Sequence, residues 1–185
     1  MNKTKIKQHV IFVGGETAGP VMPLLAIATA WKQQNPNIEP IFLDVRKSVA
    51  SRIVPKHGFR FKTMTSGKFR RYWSFKNLLS PLQILIGVIR SILLFTAVRP
   101  KIVISAGGYV QVPVIIAAAL LRIPRIIHQQ DIAPTLSNKI VAPIATKITT
   151  TFEKSIKDFY HVYGFEKNFS KESKIIWTGN PCAIP

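Results

Sequence analysis

Short apolar runs bounded by glycine, proline or polar residues alternate along this chain with longer stretches of helical periodicity. The runs predict strands over 10–13, 40–45, 59–64, 102–105, 125–128, 147–151 and 174–178. Between them the spacing predicts helices over 23–33, 48–56, 78–98, 112–121, 135–142 and 153–160. His57-Gly58 closes the second helix, glycine being the usual residue just past a helix end. Strand and helix alternate from end to end without internal repeats or low-complexity tracts. An α/β fold follows, with a Rossmann-like, doubly wound parallel sheet.

The stretch 78–98 is long and apolar enough to suggest a membrane span. It carries Pro81, Gln83 and Arg90, however, and a mid-span charge is expensive. Its place between two strands makes a sheet-covering helix the first expectation and a true span the last. Between them stands an interfacial reading: Phe69, Tyr72, Trp73 and Phe75 enter the headgroup region while Lys68, Arg70, Arg71 and Lys76 meet anionic lipid. Aromatic residues among cations also suit single-stranded nucleic acid, but no nucleic-acid module accompanies them.

Charge sharpens this picture. The chain has 26 Lys plus Arg against 8 Asp plus Glu, a formal charge of +18, and no carboxylate between Asp44 and Asp131. Such a balance favours a polyanionic partner: an acidic membrane surface, a diphosphate or nucleic acid. A basic proteome or a solubility bias is the plainer explanation. At 185 residues and 47% apolar composition, one full domain with its own core is expected. The single cysteine, Cys182, excludes an internal disulfide framework and a cysteine-based metal site, and a reducing, cytoplasmic setting fits. Basic residues precede 10–13, but that apolar run is too short for a signal peptide.

Three loops fall where parallel strands of an open sheet end, the usual ligand position. They are Gly14-Gly15-Glu16-Thr17-Ala18-Gly19-Pro20, Gly107-Gly108-Tyr109-Val110 and His128-Gln129-Gln130-Asp131. The first opens a strand–loop–helix unit without the G-x-G-x-x-G fingerprint, and the first two offer backbone amides to phosphate oxygens. The third holds the polar cluster with acid–base capacity, His128 and Asp131. The plainer reading makes His128 a strand-end histidine and Asp131 the N-cap of the helix near Pro134.

In combination these stretches resemble the N-terminal half of the MurG-type N-acetylglucosaminyltransferases of cell-wall synthesis (glycosyltransferase family 28). The resemblance rests on Gly14-Gly15-x-Thr17-x-Gly19-x-Val21-x-Pro23 with Leu25-Ala26-Ile27-Ala28, then Pro55-Lys56-His57-Gly58, Ser66-Gly67 and Arg99-Pro100-x-Ile102-Val103-Ile104. It continues through Gly107-Gly108-Tyr109-Val110-x-x-Pro113, Ile123-Pro124, His128-x-Gln130, Ser137-Asn138-Lys139, Ala145-Thr146-Lys147 and Gly179-Asn180-Pro181. These come in family order at family spacing over essentially the whole chain.

The resemblance implies the N-terminal half of a two-domain GT-B enzyme that transfers N-acetylglucosamine from UDP-N-acetylglucosamine to an undecaprenyl-diphosphate-linked muramyl pentapeptide. It implies an acceptor-binding domain over 1–181, with 182–185 beginning a linker to a donor-binding domain missing here or carried by a separate chain. Diphosphate and acceptor would meet Gly14, Gly15, Thr17, Gly19, Gly107, Gly108, Tyr109, Gln130 and Asn138. The basic, aromatic stretch Lys68–Lys76 would face the cytoplasmic leaflet, making the protein peripheral to the membrane. No cofactor, metal or nucleic acid is expected. Departures from the family pattern are Pro20 where a histidine is usual, and Glu16 and Ala18 where glycines are. The family's His-Glu-Gln-Asn becomes His128-Gln129-Gln130-Asp131. Acid–base duty would then fall to Asp131 or His128. A non-catalytic membrane-surface scaffold stands as the alternative.

Overall fold

The computed structural model describes residues 7–67, 76–163 and 174–182. Among the described residues, seven parallel strands form one sheet: β1 Gln8–Val13, β2 Ile38–Asp44, β3 Arg60–Thr63, β4 Ile102–Ser105, β5 Arg125–Gln129, β6 Lys147–Thr150 and β7 Ile175–Trp177. Their order is β3-β2-β1-β4-β5-β6-β7. The chain therefore winds outward from β1 to one edge and returns to start again at β4. That reversal places β1 beside β4, with Val13 opposite Ser105, and opens the crevice in which doubly wound sheets hold ligands.

Side-chain alternation along β1 divides the core in two. Val10 and Phe12 point to the face covered by α1 Ala18–Gln34 and α2 Val49–Ile53. Ile11 and Val13 point to the opposite face, covered by α3 Lys76–Val98, α4 Gln111–Leu120, α5 Leu136–Val141 and α6 Lys154–Tyr163. Sequence-expected elements are all present, the 102–105 strand with the expected ends and the others with shifted ones.

The helix expected from Pro23 begins instead at Ala18 and contains Pro23. The stretch 48–56 divides into α2 and a 3-10 turn, Val54–His57, because Pro55 has no N–H with which to continue an α-helix. Gly58 ends that turn in the left-handed conformation, φ 76°. Asp131 does not cap α5; Thr135 does, its hydroxyl accepting from the Asn138 amide.

Of the readings of 78–98, the fold gives a helix packed along α4, with Val88 and Phe95 in the core. Its other face is open. Leu82, Leu85, Ile86, Ile89 and Leu93 share one side and are all exposed. The interfacial residues Lys68, Phe69, Arg70, Arg71, Tyr72, Trp73 and Phe75 lie outside the described residues, as does the side chain of Lys76.

Candidate functional site at the sheet switch point

The loops following β1 and β4 meet over the crevice. Gly14 and Gly15 are buried, and Gly15 lies backbone to backbone against Gly108. Gly107 and Gly108 take φ of 106° and 81°, conformations that fit glycine and strain other residues. Beyond Gly15 the chain turns at once: the Thr17 amide donates to the Gly15 carbonyl, and α1 begins. Thr17 stands at the N-cap without a side-chain cap bond, and Thr17, Ala18 and Gly19 are exposed. The opening turn of a 17-residue helix thus faces the crevice with its amide end forward, a favourable place for an anion.

Not every amide expected to meet phosphate is available. The Gly107 N–H donates to the Ser105 hydroxyl at 3.3 Å. Tyr109 is half-buried, and its carbonyl accepts from the Ser66 hydroxyl at 3.0 Å, tying the segment before α3 to the second glycine loop. Burial, with the nearby Glu16 and Asp44 charges adding to it, pushes the Tyr109 phenol up to about 12. It remains a neutral donor at physiological pH.

Gln130 reaches from the third loop to the first. Its Nε2 donates to the Gly19 carbonyl at 3.1 Å. Pro23, four residues beyond Gly19, has no N–H to give that carbonyl, so Gln130 supplies the donor that proline removed. Gly19 and Gln130 both line a largely apolar groove of about 690 Å³, whose walls include Met22, Ala26, Asn180 and Pro181.

His128 is enclosed. Its Nδ1 and Nε2 pair with the hydroxyls of Thr149 at 2.9 Å and Thr151 at 3.2 Å. Burial lowers its pKa, partly opposed by the Asn180 side chain. Asp131 is exposed on the same loop. Asn138 is buried and donates to Gln129 and accepts from Gln111, so its amide is engaged within the protein.

A family model, the glycosyltransferase family 28 N-terminal domain, matches residues 10–150. The chain belongs to glycosyltransferase family 28. It is 36% identical, over 93% of its length, to a Legionella pneumophila (strain Corby) UDP-N-acetylglucosamine--N-acetylmuramyl-(pentapeptide) pyrophosphoryl-undecaprenol N-acetylglucosamine transferase, 47% of which is covered. A Clostridioides difficile (strain 630) relative of the same name is 38% identical over 93% of the chain and 40% of the relative. The chain thus spans less than half the length of these curated relatives. Among solved structures it superposes on Acinetobacter baumannii MurG with a TM-score of 0.72 at 22% identity, covering 94% of this chain and 45% of that one. The UDP-GlcNAc 2-epimerase of Methanocaldococcus jannaschii gives 0.67 at 15% identity, again over 94% of this chain and 45% of that one. These last two likenesses concern the fold.

Within this family 28 domain, the sequence reading missed a carboxyl beside the site. Asp44 ends β2 fully buried, with Oδ1 accepting the Val45 amide at 2.7 Å. Burial pushes it up to about 6, against smaller opposing pulls from the Val45 amide, Ser48 and the Glu16 backbone. Its only signal was position, an acid closing a mostly apolar strand. Ser105, Gln111 and Gln129 were also missed. Gln111 is the one polar residue at the head of the otherwise apolar α4.

Proposed function

We propose that this chain is the acceptor-binding, membrane-associating half of an inverting N-acetylglucosaminyltransferase. The acceptor is a polyprenyl-diphosphate-linked muramyl pentapeptide and the donor UDP-N-acetylglucosamine. The supporting observation is the uncapped amide end of α1 beside the Gly15–Gly108 contact, in a chain of charge +18. The diphosphate lies there, with Thr17 and Gly19 at the helix end and Tyr109 beside it. Asp131, exposed next to Gln130, takes the proton from the acceptor hydroxyl as its oxygen attacks C1 of the sugar and UDP leaves. His128, enclosed by two threonines, positions that loop and does not itself meet the acceptor.

The apolar side of α3 supports attachment to the cytoplasmic face of the membrane. Five exposed aliphatic side chains on one helix face form the kind of patch that marks an interaction surface. Under this reading residues 1–181 form the acceptor domain and 182–185 begin a linker. Transfer requires a donor-binding domain, in the same or a separate polypeptide, and this chain alone is inactive. The alternative, a scaffold that has lost the chemistry, is favoured by Pro20, which can neither accept nor donate a proton.

Sedimentation with acidic-lipid vesicles across a salt series separates the two, with and without an undecaprenyl-diphosphate-linked muramyl acceptor. Binding that strengthens with acceptor and survives moderate salt supports the acceptor half. Salt-sensitive binding indifferent to acceptor supports the scaffold.

A further inference from the structure

Behind the two loops runs a line of buried polar groups. The Gly107 N–H donates to Ser105 Oγ at 3.3 Å, and the Ser105 hydroxyl donates to Gln111 Oε1 at 2.7 Å. Gln111 Nε2 donates to Asn138 Oδ1 at 2.6 Å, and Asn138 Nδ2 donates to Gln129 Oε1. Gln129 Nε2 donates in turn to the carbonyls of Asp131 at 2.8 Å and Ala133 at 2.9 Å. Ser105, Gln111 and Gln129 are fully buried and Asn138 is 2% exposed.

The line has one sense only. The two main-chain carbonyls at its far end require the amino group of Gln129 there, which turns the Gln129 oxygen toward Asn138. Each amide in turn is forced the same way, back to the Gly107 N–H. Aligned bonds of this kind polarise one another, and a break leaves buried groups unpaired on both sides. The four side chains come from β4, α4, α5 and β5, so no single element sets the geometry.

We propose that Ser105, Gln111, Asn138 and Gln129 form a positioning relay. It holds the Gly107-Gly108 loop and the 131–133 loop, which carries Asp131, in one shared arrangement. Its importance to transfer rests on the acceptor-site reading above; its existence does not. Gln111 is its hinge, since only that side chain spans from the β4 end to α5.

Amide exchange followed by NMR on the whole chain tests it, using Gln111→Met, which keeps the volume and removes both bonds, and the milder Ser105→Ala. In both variants, exchange at the two ends of the line, the Gly107 N–H of the first loop and the Gln129 side-chain amide that holds the Asp131 and Ala133 carbonyls of the second, should quicken together by about tenfold, the effect of one net hydrogen bond. Ile11 and Phe12 in β1 should keep their protection. Quickening confined to one loop, or spread equally into β1, overturns the relay, as does failure of both variants to fold. Titration of the wild-type chain with inorganic pyrophosphate, read from the same amides, addresses the other question. A wild-type chain that ignores pyrophosphate overturns the anion reading, while the exchange result alone decides the relay.

Discussion

Gly15 and Gly108 touch so closely that neither can carry a side chain. A Cβ on Gly15 would stand 2.6 Å from the Gly108 Cα, and one on Gly108 would stand 2.4 Å from the Gly15 Cα. Both obstacles are backbone, so no rotamer change relieves them. Gly15→Ala should destabilise the chain at the upper end of the roughly 1–3 kcal/mol range for overpacking. Gly107→Ala meets open space and carries only the strain of its positive φ. Urea midpoints of the two variants check the ordering, Gly15→Ala the lower.

The Gln130–Gly19 bond exists because Pro23 withholds a donor. Gln130→Ala should therefore cost about 0.5–1.5 kcal/mol. In a Pro23→Ala background, where residue 23 regains its N–H for the Gly19 carbonyl, most of that cost should disappear. A double-mutant cycle on stability reads the coupling directly. Equal costs in both backgrounds would show that Gln130 acts elsewhere.

Asp44 makes folding pH-dependent with a definite sign. Its carboxyl rises from the usual 3.8 to about 6 in the folded protein, so ionisation is harder in the folded than in the unfolded chain. Its contribution is fully present below about pH 4 and is lost as pH rises through about 6. Asp44→Asn should gain about 1–3 kcal/mol at pH 8 and abolish this loss. His128 works in the opposite direction. Burial lowers its pKa, so stability falls as pH drops below the usual histidine value of 6.5. Denaturation curves of the parent and Asp44→Asn between pH 4 and 8 separate the two contributions.

The outward face of α3 should bind lipid without supporting the fold. Leu85 and Ile89 are 55% and 49% exposed. Leu85→Lys with Ile89→Lys should leave stability within about 0.5 kcal/mol per site. Affinity for acidic vesicles should fall at least about tenfold, the loss expected when aliphatic side chains no longer bury their surface. Retained vesicle binding would assign attachment to another surface.

The 102–105 strand was legible to the residue, because an apolar run between Pro100 and Gly107 admits one boundary. The start of α1 was not, because Gly19, Pro20 and Pro23 read as breakers. In the first turn, amides have no helical partner to lose, and the Gly19 carbonyl that Pro23 leaves without a helical donor is served from another loop. Asp131 looked like a cap by residue type, but Thr135 sits next to the first helical residue and took that place.

The sequence by itself determined the order of strands and helices, the parallel sheet, the glycine loops at strand ends and the family. All of these are written in short-range periodicity and motif spacing, which act within a few residues. Only the tertiary structure decided which loops touch. It closed Gly15 on Gly108, lent Gln130 to Gly19, buried Asp44 and aligned Gln111 with residues far along the chain. It also left the Leu85 side of α3 bare. A polar side chain carries no record of its partner in its neighbours along the sequence, because that pairing is settled by burial and hydrogen-bond satisfaction after the sheet has formed.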